Sequence, residues 1–306
     1  MTWDDLKSAT SKKALAVYLA IWGAATGYLA MCGADWSFPI ISLVIFGVTL
    51  SAVGWLLTRN FNSVPVDVAK PGRESKALLA YIAIYAFALI GWGLGALKAE
   101  IPAGQAQEVA VLIYKLAIHV AIPAAIIVTV GGAIAPLFRN NANGAHWWLA
   151  LLAMAAILFG LLAMVSPSLS QIDALHLSPI MSVLWVLGAW IWISVEAGLS
   201  EEFLFRSCLQ SRLTAWLKSP VAAIVTVSLI FALAHWPGLY LRGTPDTNGF
   251  STDPFQVAAF TIAALSPISI FFGVLWERSK SLLLVVLLHG AVDALPFTAE
   301  FAKLWG

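Results

Sequence analysis

Nine apolar runs, each close to the ~20 residues that a helix needs to cross about 30 Å of hydrocarbon, leave this chain little choice of fold. They cover residues 14–34, 39–58, 77–97, 109–136, 147–165, 179–200, 221–236, 256–276 and 281–296, the seventh and ninth being short. The composition agrees: 60% of the residues are hydrophobic and 11% charged, whereas a soluble domain carries roughly 45–50% and 25%. The expectation is an all-α, polytopic transmembrane helical bundle. The first run follows Lys12 and Lys13 in the manner of a signal peptide, but it is too long for such a segment and lacks a small-residue cleavage site. An uncleaved span is therefore expected.

Orientation follows from the basic residues, because Lys and Arg near span ends are retained in the cytoplasm. Lys7, Lys12 and Lys13 precede the first span. Arg59, Lys70, Arg73 and Lys76 fall in the second connection, Arg139 in the fourth, Arg206, Arg212 and Lys218 in the sixth, and Arg278 and Lys280 in the eighth. Only Lys98, Arg242 and Lys303 fall on the other side, and Lys115 lies within a span. This predicts a cytoplasmic N-terminus and an external C-terminus. A count of eight spans with one re-entrant piece would move the C-terminus. The net charge of +1, with its cations scattered between apolar blocks, excludes the basic face that nucleic-acid binding needs.

No internal repeat or long linker divides residues 1–306, and the most loop-like piece is 60–76. One membrane domain is expected, with N-terminal helices of unassigned role over 1–178 and the chemistry over 179–296. Cys32 and Cys208 each sit in apolar sequence, so both read as small packed hydrophobes. His146-Trp147-Trp148 reads as an interfacial anchor.

Against this background Glu201-Glu202-Phe203-Leu204-Phe205-Arg206 stands out. On a helix Glu202 and Arg206 share a face, while Glu201 points about 100° away. Glu202 can then be held ionised by the arginine, and Glu201 is left facing a cavity or a water. An unpaired carboxylate in a low-dielectric site suits a general base working near neutrality. An equally simple reading is an ordinary surface ion pair at a solvated cytoplasmic end of the sixth span.

Two further pairs add weight to the chemical reading. Phe231 and His235 stand four apart in the seventh span, and His289 and Asp293 four apart in the ninth. If spans six and seven turn at Lys218, Ser219 and Pro220, Glu202 and His235 both lie roughly 25 Å from the turn and can meet. His289 lies only ~15 Å past the turn at Ser279 and Lys280, so its depth disagrees by ~10 Å unless the first turn projects further.

Together these motifs are similar to those of the CPBP (CAAX prenyl endopeptidase and bacteriocin-processing, or Abi) family of glutamate-type intramembrane proteases: Glu-Glu-x-x-x-Arg, Phe-x-x-x-His and His-x-x-x-Asn/Asp. The resemblance spans about residues 180–296. It implies that Glu201 and His235 polarise a water for attack on a peptide carbonyl, that Glu202 pairs with Arg206, and that His289 and Asp293 serve the oxyanion. Eukaryotic members carry asparagine where this chain has Asp293. An ionised aspartate cannot donate a hydrogen bond, so orienting His289 is its expected role.

His235, His289 and Glu201 could also supply a two-His-one-carboxylate zinc site. No His-Glu-x-x-His occurs, however, and the resemblance implies metal-free chemistry with no cofactor. Lys115 and His119 share a face of the fourth span, and Glu196 lies a turn and a half before the glutamate motif. These three are expected to line the same cavity or to pair internally.

The function expected is an intramembrane endopeptidase acting on a peptide or protein in or at the lipid bilayer, such as a lipid-modified, C-terminal or leader segment. The expected location is a prokaryotic cell (inner) membrane. Two other classes stay open, a non-proteolytic bacteriocin-immunity protein and a proton-coupled transporter. Against the transporter, the chain shows no repeated half with matching broken helices.

Overall fold

The computed structural model describes residues 1–61, 63–138 and 144–306. Among these residues nine helices are long and apolar enough to cross a membrane: α1 Ala9–Met31, α2 Ser37–Leu57, α3 Pro71–Glu100, α4 Gln105–Thr129, α5 Ala145–Val165, α6 Pro179–Leu217, α7 Pro220–Arg242, α8 Pro254–Ser279 and α9 Leu282–Trp305. No strand occurs among them. The polytopic helical bundle read from the sequence is the fold observed. Arg139 lies outside the described residues, as does Asn62 within the stretch 60–76.

Three spans, α6, α7 and α9, extend well past the ends of their apolar runs. α6 continues through the glutamate motif to Leu217, because residues 202–213 are buried and Arg206, Gln210 and Arg212 bond to neighbouring helices. Arg206 and Arg212 are therefore interior residues and leave the count of basic residues in the sixth connection. α7 and α9 are not short: they run on through Pro237 and Pro296 to Arg242 and Trp305. Neighbouring helices in a bundle can tolerate the backbone group that an interior proline frees.

The bundle is graded from edge to centre. In the most apolar window of each of α7, α8 and α9, 67% of residues are buried, against 22% in α1 and α2. α6 and α9 pack along each other, α5 lies behind α9, and α7 sits between α3, α8 and the second half of α6. One cluster of buried apolar residues runs from Leu50 on α2 to Ala291 on α9.

The two tight hairpins share a local grammar. Lys218 and Lys280 end α6 and α8 in the left-handed conformation (φ 51° and 47°). Ser219 and Ser281 then cap α7 and α9 through the backbone N–H groups of Ala222 and Leu284, as N-cap serines do. The two turns are not level. Glu277 on α8 accepts from Gln210 (3.4 Å) and Thr214 (3.5 Å) of α6, which sets the α8–α9 turn about one helical turn below Lys218. The first hairpin does project further, which removes about half of the ~10 Å mismatch estimated for His289.

Cross-helix contacts sort the connections onto two ends. At one end Ser11 meets Ser219 (3.3 Å), Arg278 donates to the carbonyls of Met1 (2.8 Å) and Thr58 (3.2 Å), Arg212 pairs with Glu74 (2.9 Å), and Trp147 donates to Ser281 (3.0 Å). At the other end Tyr28 donates to Asp253 (3.0 Å) and Gln105 to the carbonyl of Leu304 (3.0 Å). The N-terminus and the basic connections thus share one end, which the retention of positive charge assigns to the cytoplasm. The C-terminus lies opposite.

Two local expectations are corrected. Trp147 is buried, because its indole N–H reaches Ser281 in the core, and only Trp148 remains exposed in the manner of an anchor. Cys208 is packed as expected, but Cys32 is exposed beyond the end of α1.

Candidate active site

α6 is irregular where the glutamates lie. Residues Ser200–Glu202 form a short α-helical piece between two π-helical stretches, Ser194–Leu199 and Phe203–Gln210. Hydrogen bonds in a π turn run five residues apart instead of four, which draws residues five apart toward one face. Glu196 and Glu201 are five apart, and both line one cavity. Beside them α6 and α9 approach unusually closely. A Cβ on Gly198 would lie 2.6 Å from the carbonyl oxygen of Val286, and one on Gly290 would lie 2.0 Å from Ser194 Oγ. Small residues at these two points let His289 reach across to α6, as small residues do at packed membrane helices.

Glu202 and Arg206, both fully buried, form an ion pair with Nε 3.2 Å from Oε2. Arg206 also donates to Ser269 Oγ on α8 (2.9 Å). Its guanidinium lies over the rings of Phe231 (4.7 Å) and Phe272 (5.5 Å), and cation–π contacts of this kind strengthen where water is excluded. The other carboxylate oxygen of Glu202 accepts from His289 Nδ1 at 2.7 Å, and Phe272 stacks on the His289 ring (centroids 5.0 Å apart). One buried carboxylate therefore ties α6 to α9 and, through the arginine, to α8.

Glu201 points elsewhere, as the spacing predicted. Its Oε2 lies 3.8 Å from Nε2 of His235 and 3.8 Å from Nε2 of His289, beyond direct hydrogen-bond reach and close enough for a water on the cavity side to contact more than one of them. Depth estimates paired Glu202 with His235. In the structure the preceding glutamate meets His235, and Glu202 turns to α9. His235 Nδ1–H donates to the carbonyl of Phe231 (2.8 Å), so the ring presents the Nε2 lone pair to Glu201. Phe231 thus carries both the arginine and the histidine, a reason for its place in the motif.

The cavity at Glu201 measures about 330 Å³ and is walled by α3, α4, α6, α7 and α9. Lys115 and Glu196 pair across it at 2.6 Å. His119 donates Nδ1–H to the carbonyl of Lys115 (2.8 Å), and its Nε2 accepts from Tyr85 (2.6 Å). Tyr85, Lys115, His119 and Glu196 thus line the same cavity and also pair internally. Sequence reasoning missed Tyr85, Ser269 and Phe272, which carry no signal until their helices are placed. It gave α3 no role, yet α3 walls the cavity. Asp293 is half exposed, with Oδ2 3.4 Å from His289 Nε2. It faces the nitrogen opposite the one that Glu202 holds. No group of three or more His, Cys, Asp or Glu among the described residues is placed to hold a metal ion.

Fold and site define a class: an integral membrane α-helical bundle with a Glu–Arg–His–His constellation inside its core. Residues 182–295 match the family described as type II CAAX prenyl endopeptidase Rce1-like, and over this segment the chain is similar to the CAAX protease (CPBP) family, as its motifs indicated. All three motifs fall within the matched stretch. No curated protein and no solved structure matches the chain.

Proposed function

We propose that this protein is an intramembrane endopeptidase of a prokaryotic cell membrane, in which Glu201 activates the attacking water. The observation that carries this reading is the position of Glu201 Oε2, 3.8 Å from two imidazole nitrogens at the wall of a cavity. A water on the cavity side of this pair donates to Glu201 and to His235 Nε2, leaving a lone pair free for a peptide carbonyl.

As the water attacks, Glu201 takes its proton and the carbonyl oxygen becomes an oxyanion. With Nδ1–H committed to Glu202, His289 can donate from Nε2 only as imidazolium, a charge that Glu202 and Asp293 offset. Asp293 holds this N–H and steers the ring until the oxyanion replaces it. Fixed donors aimed at developing charge often lower the barrier more than any other single device in an active site. Collapse of the intermediate breaks the C–N bond, and Glu201 returns the proton to the leaving amine.

The test compares the membrane proteomes of cells carrying the wild-type protein and Glu201→Ala, together with metal analysis of the purified protein. A precursor that accumulates only with the variant is the expected result. Equal proteomes with a folded, expressed variant would overturn proteolysis, and stoichiometric zinc would overturn the metal-free route.

A further inference from the structure

Beside the Glu201 cavity lies a second one of about 440 Å³. Its walls are apolar: Phe38 of α2, Ile90 of α3, Leu239 of α7, and Phe260 and Leu265 of α8. The two cavities share Ile90, His235 and Arg242, so they meet at the histidine beside Glu201. Their charges differ. The carboxylates of Glu108, Glu196, Glu201 and Glu300 line the first. Among the described residues no carboxylate lines the second, whose polar side chains besides His235 are Arg242, Thr247 and Asn248.

Arg242 is exposed at the end of α7, where a long basic side chain is free to extend into water. Instead its guanidinium turns back along the helix onto Gly238. A Cβ on Gly238 would lie 2.7 Å from Nη2, and one on Gly95 of α3 would lie 3.3 Å from Cδ. Two glycines thus form the slot that the arginine occupies. Among the described residues no carboxylate, carbonyl or ring partners it. The loop after α7 is fixed over the same cavity. Gly249, in the left-handed conformation (φ 78°), is pressed onto the ring of Phe260, where a Cβ would come within 2.0 Å. Thr247 Oγ1 accepts from the backbone N–H of Thr244 (3.0 Å).

We propose that this second cavity receives an apolar stretch of the substrate and that Arg242 sets its register by pairing with a carboxylate of the polypeptide, either terminal or on a side chain. This rests on the proteolytic reading and narrows its substrate class to polypeptides that carry an anionic group beside an apolar stretch. His235 and Arg242 stand seven residues apart, on one face of α7 and ~10 Å apart along its axis. A carboxylate held at Arg242 therefore fixes which peptide bond reaches Glu201. The planar guanidinium fork meets both carboxylate oxygens at once, apolar surroundings strengthen the attraction, and no carboxylate of this cavity competes for it among the described residues.

The experiment uses the full chain in detergent as Glu201→Gln, so that bound peptide stays intact. Three tetrapeptides with an uncharged fluorophore at the N-terminus serve as probes: tetraleucine acid, tetraleucine amide and Leu-Leu-Leu-Glu amide. Fluorescence anisotropy is expected to show at least one of the two carboxylate peptides binding ~10-fold or more tightly than tetraleucine amide, as charge-assisted hydrogen bonds supply. Preference for the acid assigns the site to a chain terminus, and preference for the glutamate peptide to an acidic side chain. Arg242→Gln is expected to abolish the preference, and Gly238→Leu, which fills the slot but keeps the arginine, to weaken it. Equal affinity for all three peptides, or a preference that survives Arg242→Gln, overturns the proposal. If Glu201→Ala accumulates no precursor in cells, the proteolytic reading fails, while the peptide affinities still decide whether Arg242 binds a carboxylate.

Discussion

His289 Nδ1 sits 2.7 Å from Glu202 Oε1, and through this contact the second glutamate of the pair governs the second histidine. The two adjacent carboxylates divide the site. Glu202 is sealed in with Arg206, and Glu201 faces the cavity between two imidazole nitrogens.

Glu201→Gln keeps the volume of the side chain and removes the base. Turnover of an identified substrate is expected to fall by about 10²–10⁴-fold, the usual worth of positioned acid–base catalysis, with the thermal midpoint in detergent close to wild type. A large drop in that midpoint would assign Glu201 a structural role instead.

Arg206→Met strips Glu202 of its cation inside the core. Breaking a buried ion pair by removing one partner costs about 3–5 kcal/mol, so thermal denaturation in detergent should show a clear loss. Arg206→Lys should restore little of it, since an ammonium cannot both meet Glu202 and lie flat between two phenyl rings. Full rescue by lysine would mean that charge alone matters there.

Gly198→Ala adds one methyl carbon that would lie 2.6 Å from the Val286 carbonyl oxygen. Overpacking of this kind costs about 1–3 kcal/mol, and its relief moves α9 away from α6. Turnover should drop with the base still in place, and a lower kcat at normal expression is the result to look for.

Glu74→Ala supplies the contrast. It leaves the Arg212 charge buried without its partner, again at about 3–5 kcal/mol, but it touches nothing in the cavity. Stability should fall while turnover per folded molecule is retained. Loss of turnover in the folded fraction would show that this buried pair is coupled to the site.

The spans were legible in the sequence because length and apolarity suffice to place a membrane helix, and Glu201, Glu202, Arg206, His235, His289 and Asp293 were legible because charge within such runs is rare. Glycines 198 and 290 were not, since their meaning lies in what faces them. The π-helical stretches around Ser200–Glu202 have no marker in composition, because a shifted backbone hydrogen bond depends on the packing around it. They carry Glu196 onto the face of Glu201. Tyr85 and His119 occupy π-helical stretches of α3 and α4 in the same way. The hairpin register failed under ideal-helix arithmetic for a related reason, since it was set by Glu277 reaching Gln210 and Thr214.

The tightly packed second half of α6 also has an electrical consequence. A voltage across the membrane falls mainly over dry matter free of mobile ions, which here is the block around residues 202–213. Moving one elementary charge through the full field would involve about 2.3 kcal/mol per 100 mV. In the proposed hydrolysis a proton passing between water, Glu201 and a leaving amine would cover only a short part of that drop, and so would do little work against the membrane potential.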